Sequence, residues 1–162
     1  MGEQVIKSPT IAQLLDELVV RVKTRKEFGN RAFEIYNIED LGHQMALQTT
    51  PAVAIGYERC DTLDSPSQRT QVPSNVKTTF LYYTLTFSIL IGVEYNPTGT
   101  TDTKVIATDL LDAVRKCLIG FKGVNGKPWR FAGEQPVGSD VRGVIWYGQL
   151  WETDVPQVST SK

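Results

Sequence analysis

Few residues in the chain have a type and spacing that could do chemistry. The single histidine, His43, would have to serve any Ser-His-Asp or Cys-His arrangement, and its polar surroundings predict an ordinary surface residue instead. The nearest approach to a metal site is Asp61 with Asp64, two carboxylates in a Ser/Pro/Thr-rich segment. That context is typical of solvated side chains, so we expect neither catalysis nor a bound metal or cofactor here.

One candidate ligand site surrounds Glu134. Glu134 lies close in sequence to Trp129, and an acidic side chain beside an aromatic ring is an arrangement found in ligand-binding pockets. A small enzymatic or ligand-binding domain of this kind requires Glu134 and Asp140 to converge in a cleft. The alternative, which we favour, is a core or interface cluster of Trp129, Trp146 and Trp151.

Composition indicates one ordinary globular domain. The chain has 162 residues, 41% of them hydrophobic, and a formal net charge of −1. Such a charge lacks the footprint of a nucleic-acid-binding protein, and two cysteines without a disulfide framework fit a reducing compartment. The N-terminus lacks a secretory leader, and no apolar run reaches the ~20 residues of a membrane helix. We expect a single domain over residues 1–155, a flexible tail over 156–162, no membrane contact and no specific nucleic-acid binding.

Hydrophobic spacing and turn residues predict two helices and five strands. Ser8 is the expected cap of the first helix, whose apolar stripe comprises Ile11, Leu14, Leu15, Leu18 and Val22. A turn-rich connector is predicted over Gln135–Gly143. The predicted elements are helix Ser8–Phe28, strands 33–36, 52–58 and Phe80–Tyr95, helix Thr103–Ile119, a strand that begins at Trp129, and a last strand Val144–Thr153.

The strand Phe80–Tyr95 is the most informative element because it is too long. Apolar residues occupy every odd position from Leu81 to Tyr95, and this period of two indicates a half-buried strand. At about 3.3 Å per residue it spans roughly 50 Å, whereas a typical strand has about five or six residues. A small domain cannot cover all of it with its own core, so we expect part of it to meet another chain.

The element order α-β-β-β-α-β-β predicts an α+β fold, with a mostly antiparallel sheet and two helices packed on one face. The polar segment Cys60–Lys77 reads as an extended loop, which joins the second and third strands into a long β-hairpin.

This arrangement resembles the tail terminator, or tail completion, proteins of long-tailed bacteriophages of the Mu-like and lambda types. The resemblance covers about Thr10 to Thr153 and rests on the order of elements rather than on one diagnostic motif. The features that carry it are helix Ile11–Val22, Thr50-Pro51-Ala52-Val53, strand Phe80–Tyr95, a helix ending near Phe121, Trp129-Arg130-Phe131-Ala132-Gly133-Glu134, and a closing strand with Tyr147, Leu150, Trp151 and Thr153.

The resemblance implies a structural virion protein of the tail neck, not an enzyme, that is assembled in the host cytoplasm. Such proteins form a homo-oligomeric, typically hexameric, ring on the finished tail tube. The ring stops further tube subunits from adding, and it presents a surface to a neck or head-completion protein and, in some tails, to the sheath. Another neck or head–tail adaptor protein is the alternative reading.

We expect subunit and partner contacts along the long hairpin and its loop. A strand that extends past its own core can bind the next subunit by edge pairing or by hairpin packing. The residues assigned to this interface are Asp61, Asp64, Gln68, Arg69, Gln71, Lys77, Phe80, Tyr82 and Tyr95.

Overall fold

The computed structural model describes residues 8–28, 32–35, 51–62, 78–94, 103–139 and 143–160. In these ranges two helices and five strands follow one another in the predicted order, and the α+β class is confirmed. No helix in the described ranges has the length and hydropathy needed to cross a membrane. The elements are α1 (Ile11–Lys23), β1 (Ala32–Ile35), β2 (Ala52–Thr62), β3 (Thr78–Glu94), α2 (Thr103–Leu118), β4 (Arg130–Ser139) and β5 (Val144–Thr160).

Helix α1 begins later than predicted because Thr10, and not Ser8, caps it. The Thr10 hydroxyl accepts a hydrogen bond from the Gln13 amide at 3.2 Å. The Gln13 side chain accepts one in return from the Thr10 amide at 2.9 Å, which completes a capping box. Ser8 is therefore released from the helix, and its hydroxyl donates to the carbonyl of Pro156.

The strands form one five-stranded sheet with the order β1-β2-β3-β5-β4. Only β1 and β2 run parallel, and every other neighbouring pair is antiparallel. The two long strands, β3 and β5, have seventeen residues each and pair along their whole length, from Thr78 opposite Thr160 to Glu94 opposite Val144. The antiparallel pairing of β2 with β3 that the sequence predicted is confirmed, but the pairing of β3 with β5 is longer.

Both helices pack on one side of the sheet, here called the helix side. The odd positions of β3 from Leu85 to Val93 are buried there, and the period-two prediction is confirmed over that part of the strand. The predicted stripe of α1 also lies in this core, except that Ile11 stays 37% exposed and Val19 is added. Residues of α2 complete the core, including Leu111, Val114 and Leu118.

On the opposite side of the sheet, β2 and β3 carry mostly small side chains at the described positions, such as Ala52, Thr86, Ser88 and Gly92. Gly92 of β3 lies directly under the ring of Trp146 on β5, so a Cβ atom at this position would approach that ring to within 2.6 Å. Ala52 and Leu90 join Trp146 in a second, smaller apolar cluster. Trp129 and Trp151 lie instead in the main core. The three tryptophans are all buried but do not form the single cluster that the sequence favoured.

Three strands continue past their predicted ends. Strand β2 runs to Thr62, so Cys60 and Asp61 belong to a strand and not to the loop. Strand β4 runs to Ser139 through the predicted connector, because bulges at Phe131/Gly133 and Pro136/Gly138 let glycine and proline fit an edge strand. Strand β5 runs to Thr160, so residues 156–160 of the expected tail are paired with β3.

Candidate functional site: a two-stranded extension of the sheet

At one end of the sheet, the residues that the structure describes form two strands. The last pair between β2 and β3 is Thr62 with Tyr83, and the pairing of β4 with β5 begins at Arg130 and Glu152. Beyond these points, residues Thr78–Tyr82 of β3 pair with Pro156–Thr160 of β5, and no other described strand lies beside them. We call these two segments the ribbon. At about 3.3 Å per residue it projects roughly 15 Å past the three-stranded part of the sheet.

Local sequence explains why the ribbon forms as strands. Thr78–Tyr82 consists of β-branched, aromatic and aliphatic residues, which favour a pleated backbone. Pro156 cannot donate a backbone hydrogen bond. It lies beyond the Arg130–Glu152 pair, where β4 does not pair with β5, so the ladder between these two strands loses no donor. Neither segment of the ribbon contains a charged residue.

Asp154 lies at the base of the ribbon, and its carboxylate accepts hydrogen bonds from two residues. Arg130 donates to both of its carboxylate oxygens, from Nη1 at 2.7 Å and Nη2 at 3.0 Å. The hydroxyl of Thr84 on β3 donates to the same carboxylate at 2.9 Å. Burial alone would raise the pKa of Asp154, but the bonds from Arg130 and Thr84 outweigh it and hold the pKa below its ordinary value.

Two further residues reach the same stretch of β5 from outside the sheet. Asn125, in the connector between α2 and β4, donates to the Thr153 hydroxyl and to the Asp154 carbonyl, both at 2.8 Å. Ser8 donates to the Pro156 carbonyl, as described above. The backbone of β5 is therefore fixed on the side that β4 no longer covers.

A hollow of about 520 Å³ opens beside the ribbon base, on the helix side. Its walls are the start of α1, residues 57 and 60 of β2, and the adjoining parts of β3 and β5. Burial raises the pKa of the Tyr57 phenol, and nearby Cys60 and Asp61 add to the effect. The Cys60 thiol is exposed and has no disulfide partner. The described walls include the aromatic and aliphatic side chains of Tyr57, Leu85 and Val155.

The predicted interface residues fall into three groups. Asp61 lies on β2 opposite Thr84, near the ribbon base, where it is exposed and forms an ion pair with Arg59 at 2.9 Å. The backbones of Phe80 and Tyr82 belong to the ribbon, opposite Val158 and Pro156. The remaining assigned residues lie outside the described ranges, as does His43: Asp64, Gln68, Arg69, Gln71, Lys77 and Tyr95.

Glu134, the carboxylate of the ligand-site hypothesis, makes contacts within the domain. Its carboxylate pairs with Arg115 of α2 and accepts a hydrogen bond from Gln149 at 2.8 Å, which ties β4 to the helix side. Asp140, its required partner, lies outside the described residues. Across the described ranges, His, Cys, Asp and Glu side chains form no group of three or more that could hold a metal ion.

The residues at the ribbon base were not predicted from the sequence. Asp154 and Pro156 fall in a polar stretch, Asp-Val-Pro-Gln-Val-Ser-Thr, that has no clean period of two. Its strand structure depends on the pairing with β3, which is a long-range contact without a local signal.

Comparison with models of protein families found no match, and neither did comparison with curated protein sequences.

Proposed function

We propose that this protein is a tail terminator of a long-tailed bacteriophage. In this role copies of the chain form a ring on the end of the tail tube, stop its growth and present a surface for head joining. The proposal draws on the resemblance in element order described above. The observation that carries it is the ribbon, which extends the sheet beyond the core of the subunit.

A ring places a specific demand on its subunit. Each copy must bind the next through two different patches, related by a rotation that closes on itself. The ribbon offers a directional patch of this type, because it projects from one end of the sheet and its β3 edge has no partner among the described strands. A strand edge of this kind can pair with a strand from another chain.

The absence of charge in the ribbon segments supports their burial against another chain. Charged side chains that lose water at such a contact require compensation. Thr78–Tyr82 and Pro156–Thr160 require none. The formal net charge of −1 also favours protein partners over nucleic acid.

The proposal is tested by adding the purified protein to polymerising tail tubes of the same phage. We expect tubes to stop growing at a ratio of one ring per tube end, with a ring visible on one end by electron microscopy. The protein is compared with a variant that lacks residues 156–160, one of the two ribbon segments, and we expect this variant to fail to cap the tubes. Tubes that grow equally long with and without the full-length protein would contradict the terminator role. Binding only to neck or portal proteins would favour the adaptor alternative.

A further inference from the structure

A two-stranded ribbon needs external support to keep a fixed direction. An isolated pair of strands is at best marginally stable in water, and it twists more than a sheet does. Among the described strands, neither β2 nor β4 lies beside the ribbon beyond Tyr83. The described contacts that can fix its direction gather at its base, on β5.

The carboxylate of Asp154 joins three strands at this point. Thr84 belongs to β3, Arg130 to the first residue of β4, and Asp154 to β5. Arg130 makes a two-pronged contact with Asp154 and lies 3.7 Å from Glu152 as well. Two parallel N–H···O bonds of this type fix orientation as well as distance. The position where β4 begins is thus locked to the position where the ribbon leaves the sheet.

The backbone of β5 is held at the same place by Asn125 and Ser8. Asn125 reaches the Thr153 hydroxyl and the Asp154 carbonyl, and Ser8 reaches the Pro156 carbonyl. Because these two carbonyls are occupied and Pro156 has no N–H, the β5 edge at the ribbon base is closed to an added strand. The β3 edge, which has no partner among the described strands, is then the edge to which a partner strand can add at this point.

We propose that Ser8, Thr84, Asn125, Arg130 and Asp154 act as a ribbon clamp, with Asp154 as its central positioning residue. The clamp fixes the direction of the ribbon and leaves its β3 edge as the side that receives a second copy of the chain. This inference rests on the proposed ring, in which the angle between neighbouring subunits must be constant if the ring is to close. The clamp makes the ribbon a rigid arm of the subunit rather than a frayed end.

The first test compares Asp154→Asn with the control Asp112→Asn in the full-length chain. Asp112 also forms an ion pair, with Lys116 at 2.6 Å, but on the exposed surface of α2. Amide hydrogen exchange is measured on Thr78–Tyr82 and on the core segment Phe87–Ile91. We expect Asp154→Asn to lower protection in the ribbon by roughly ten- to a hundredfold while the core keeps its protection, because hydrogen bonds to a charged group are lost at one end only. The control should leave both segments unchanged.

Asn125→Ala provides a second, independent variant. It removes the connector contacts to β5 and leaves the Asp154 carboxylate with Arg130 and Thr84. We expect the same pattern, with lower protection confined to the ribbon. Unchanged ribbon protection in both variants would overturn the clamp, and an equal loss across the core would show that these residues only stabilise the whole domain.

Ring formation on tube ends separates the clamp from the proposed function. If the wild-type protein caps tubes and Asp154→Asn does not, despite a folded core, both proposals hold. If the wild-type protein fails to cap but the ribbon loosens as expected, the clamp stands and the terminator role falls. If Asp154→Asn caps as well as wild type with a loosened ribbon, the rigid arm is not needed for assembly and the inference is overturned.

Discussion

Replacing Gln149 by leucine should destabilise the subunit measurably, although the substitution makes the core more apolar. Gln149 is fully buried on β5, between the sheet and α2. Its amide group donates to the Leu111 carbonyl at 2.9 Å and to Glu134 at 2.8 Å. Its carbonyl oxygen accepts the indole N–H of Trp151 at 3.0 Å. One side chain therefore connects the helix layer, the edge strand and the main core.

The cost is dominated by the donor that leucine leaves unpaired. Trp151 is also fully buried, so its N–H cannot turn to water, and a buried donor without a partner costs about 1–3 kcal/mol. Glu134 keeps its pair with Arg115 and is 27% exposed in its side chain, so water can replace part of what it loses. Leucine gains some burial energy that offsets part of this sum. We expect a net loss of about 2 kcal/mol, which for a domain of this size lowers Tm by roughly 4–8 °C.

Thermal and urea unfolding of Gln149→Leu, followed by tryptophan fluorescence, measures this loss directly. Gln135→Leu is the matched control, because Gln135 is exposed on edge strand β4 and should leave Tm nearly unchanged. A second comparison replaces Trp151 by phenylalanine, which removes the donor. In that background Gln149→Leu should cost about 1 kcal/mol less. A Gln149→Leu protein as stable as wild type, or a cost that does not depend on residue 151, would refute this account of the core.

Three other outcomes are expected. Gly92→Val should lower the free energy of unfolding by about 1–3 kcal/mol in urea titrations, since its side chain would clash with the ring of Trp146, and an unchanged midpoint would contradict the packing. Because its carboxylate has a lowered folded-state pKa, Asp154 stabilises the native state above about pH 4, and this contribution disappears as pH falls further; Asp154→Asn should flatten that part of the stability profile. A thiol reagent should modify exposed Cys60 quickly in the native protein, whereas Cys117, buried and with its pKa raised by that burial, should react only on unfolding; rapid reaction of two thiols would contradict this.

The elements that could be predicted are those with a strong local period. The odd positions of β3 and the apolar stripe of α1 each repeat often enough to set both the element and its buried face. The start of α1 was wrong by two residues because Ser8 and Thr10 are both good caps, and only Thr10 has a glutamine in position to complete a capping box. Residue type favours both Ser8 and Thr10 as caps, and the pair of hydrogen bonds between Thr10 and Gln13 decides between them.

The parts that sequence missed depend on contacts between distant residues. Strand β4 contains glycines and a proline that normally mark a turn, and only its edge position and bulges make them acceptable in a strand. The end of β5 has the composition of a tail, and its strand structure comes from the register with β3. The ribbon clamp was missed for the same reason: Asn125 and Thr153, or Thr84 and Asp154, are far apart in the chain, and the sequence has no pattern that joins them.

The interface hypothesis stays a prediction, and the structure changes which surface it concerns. The sequence assigned the long hairpin to β2 and β3, with contacts along their shared loop. In the structure β3 projects together with β5, and Asp61 lies at the base of this projection instead of in the loop. The candidate surface is therefore the β3 edge of the ribbon, while the assigned loop residues stay predictions.

The most direct test of the terminator role is the length of tails made by phage that lack this gene. Tail lengths are measured by electron microscopy of negatively stained lysates, with the gene supplied in trans as the control. The proposed role predicts tails or tubes of widely varying and often excessive length, and normal length on complementation. Tails of uniform normal length that merely fail to join heads would contradict termination and would assign the protein to head–tail joining instead.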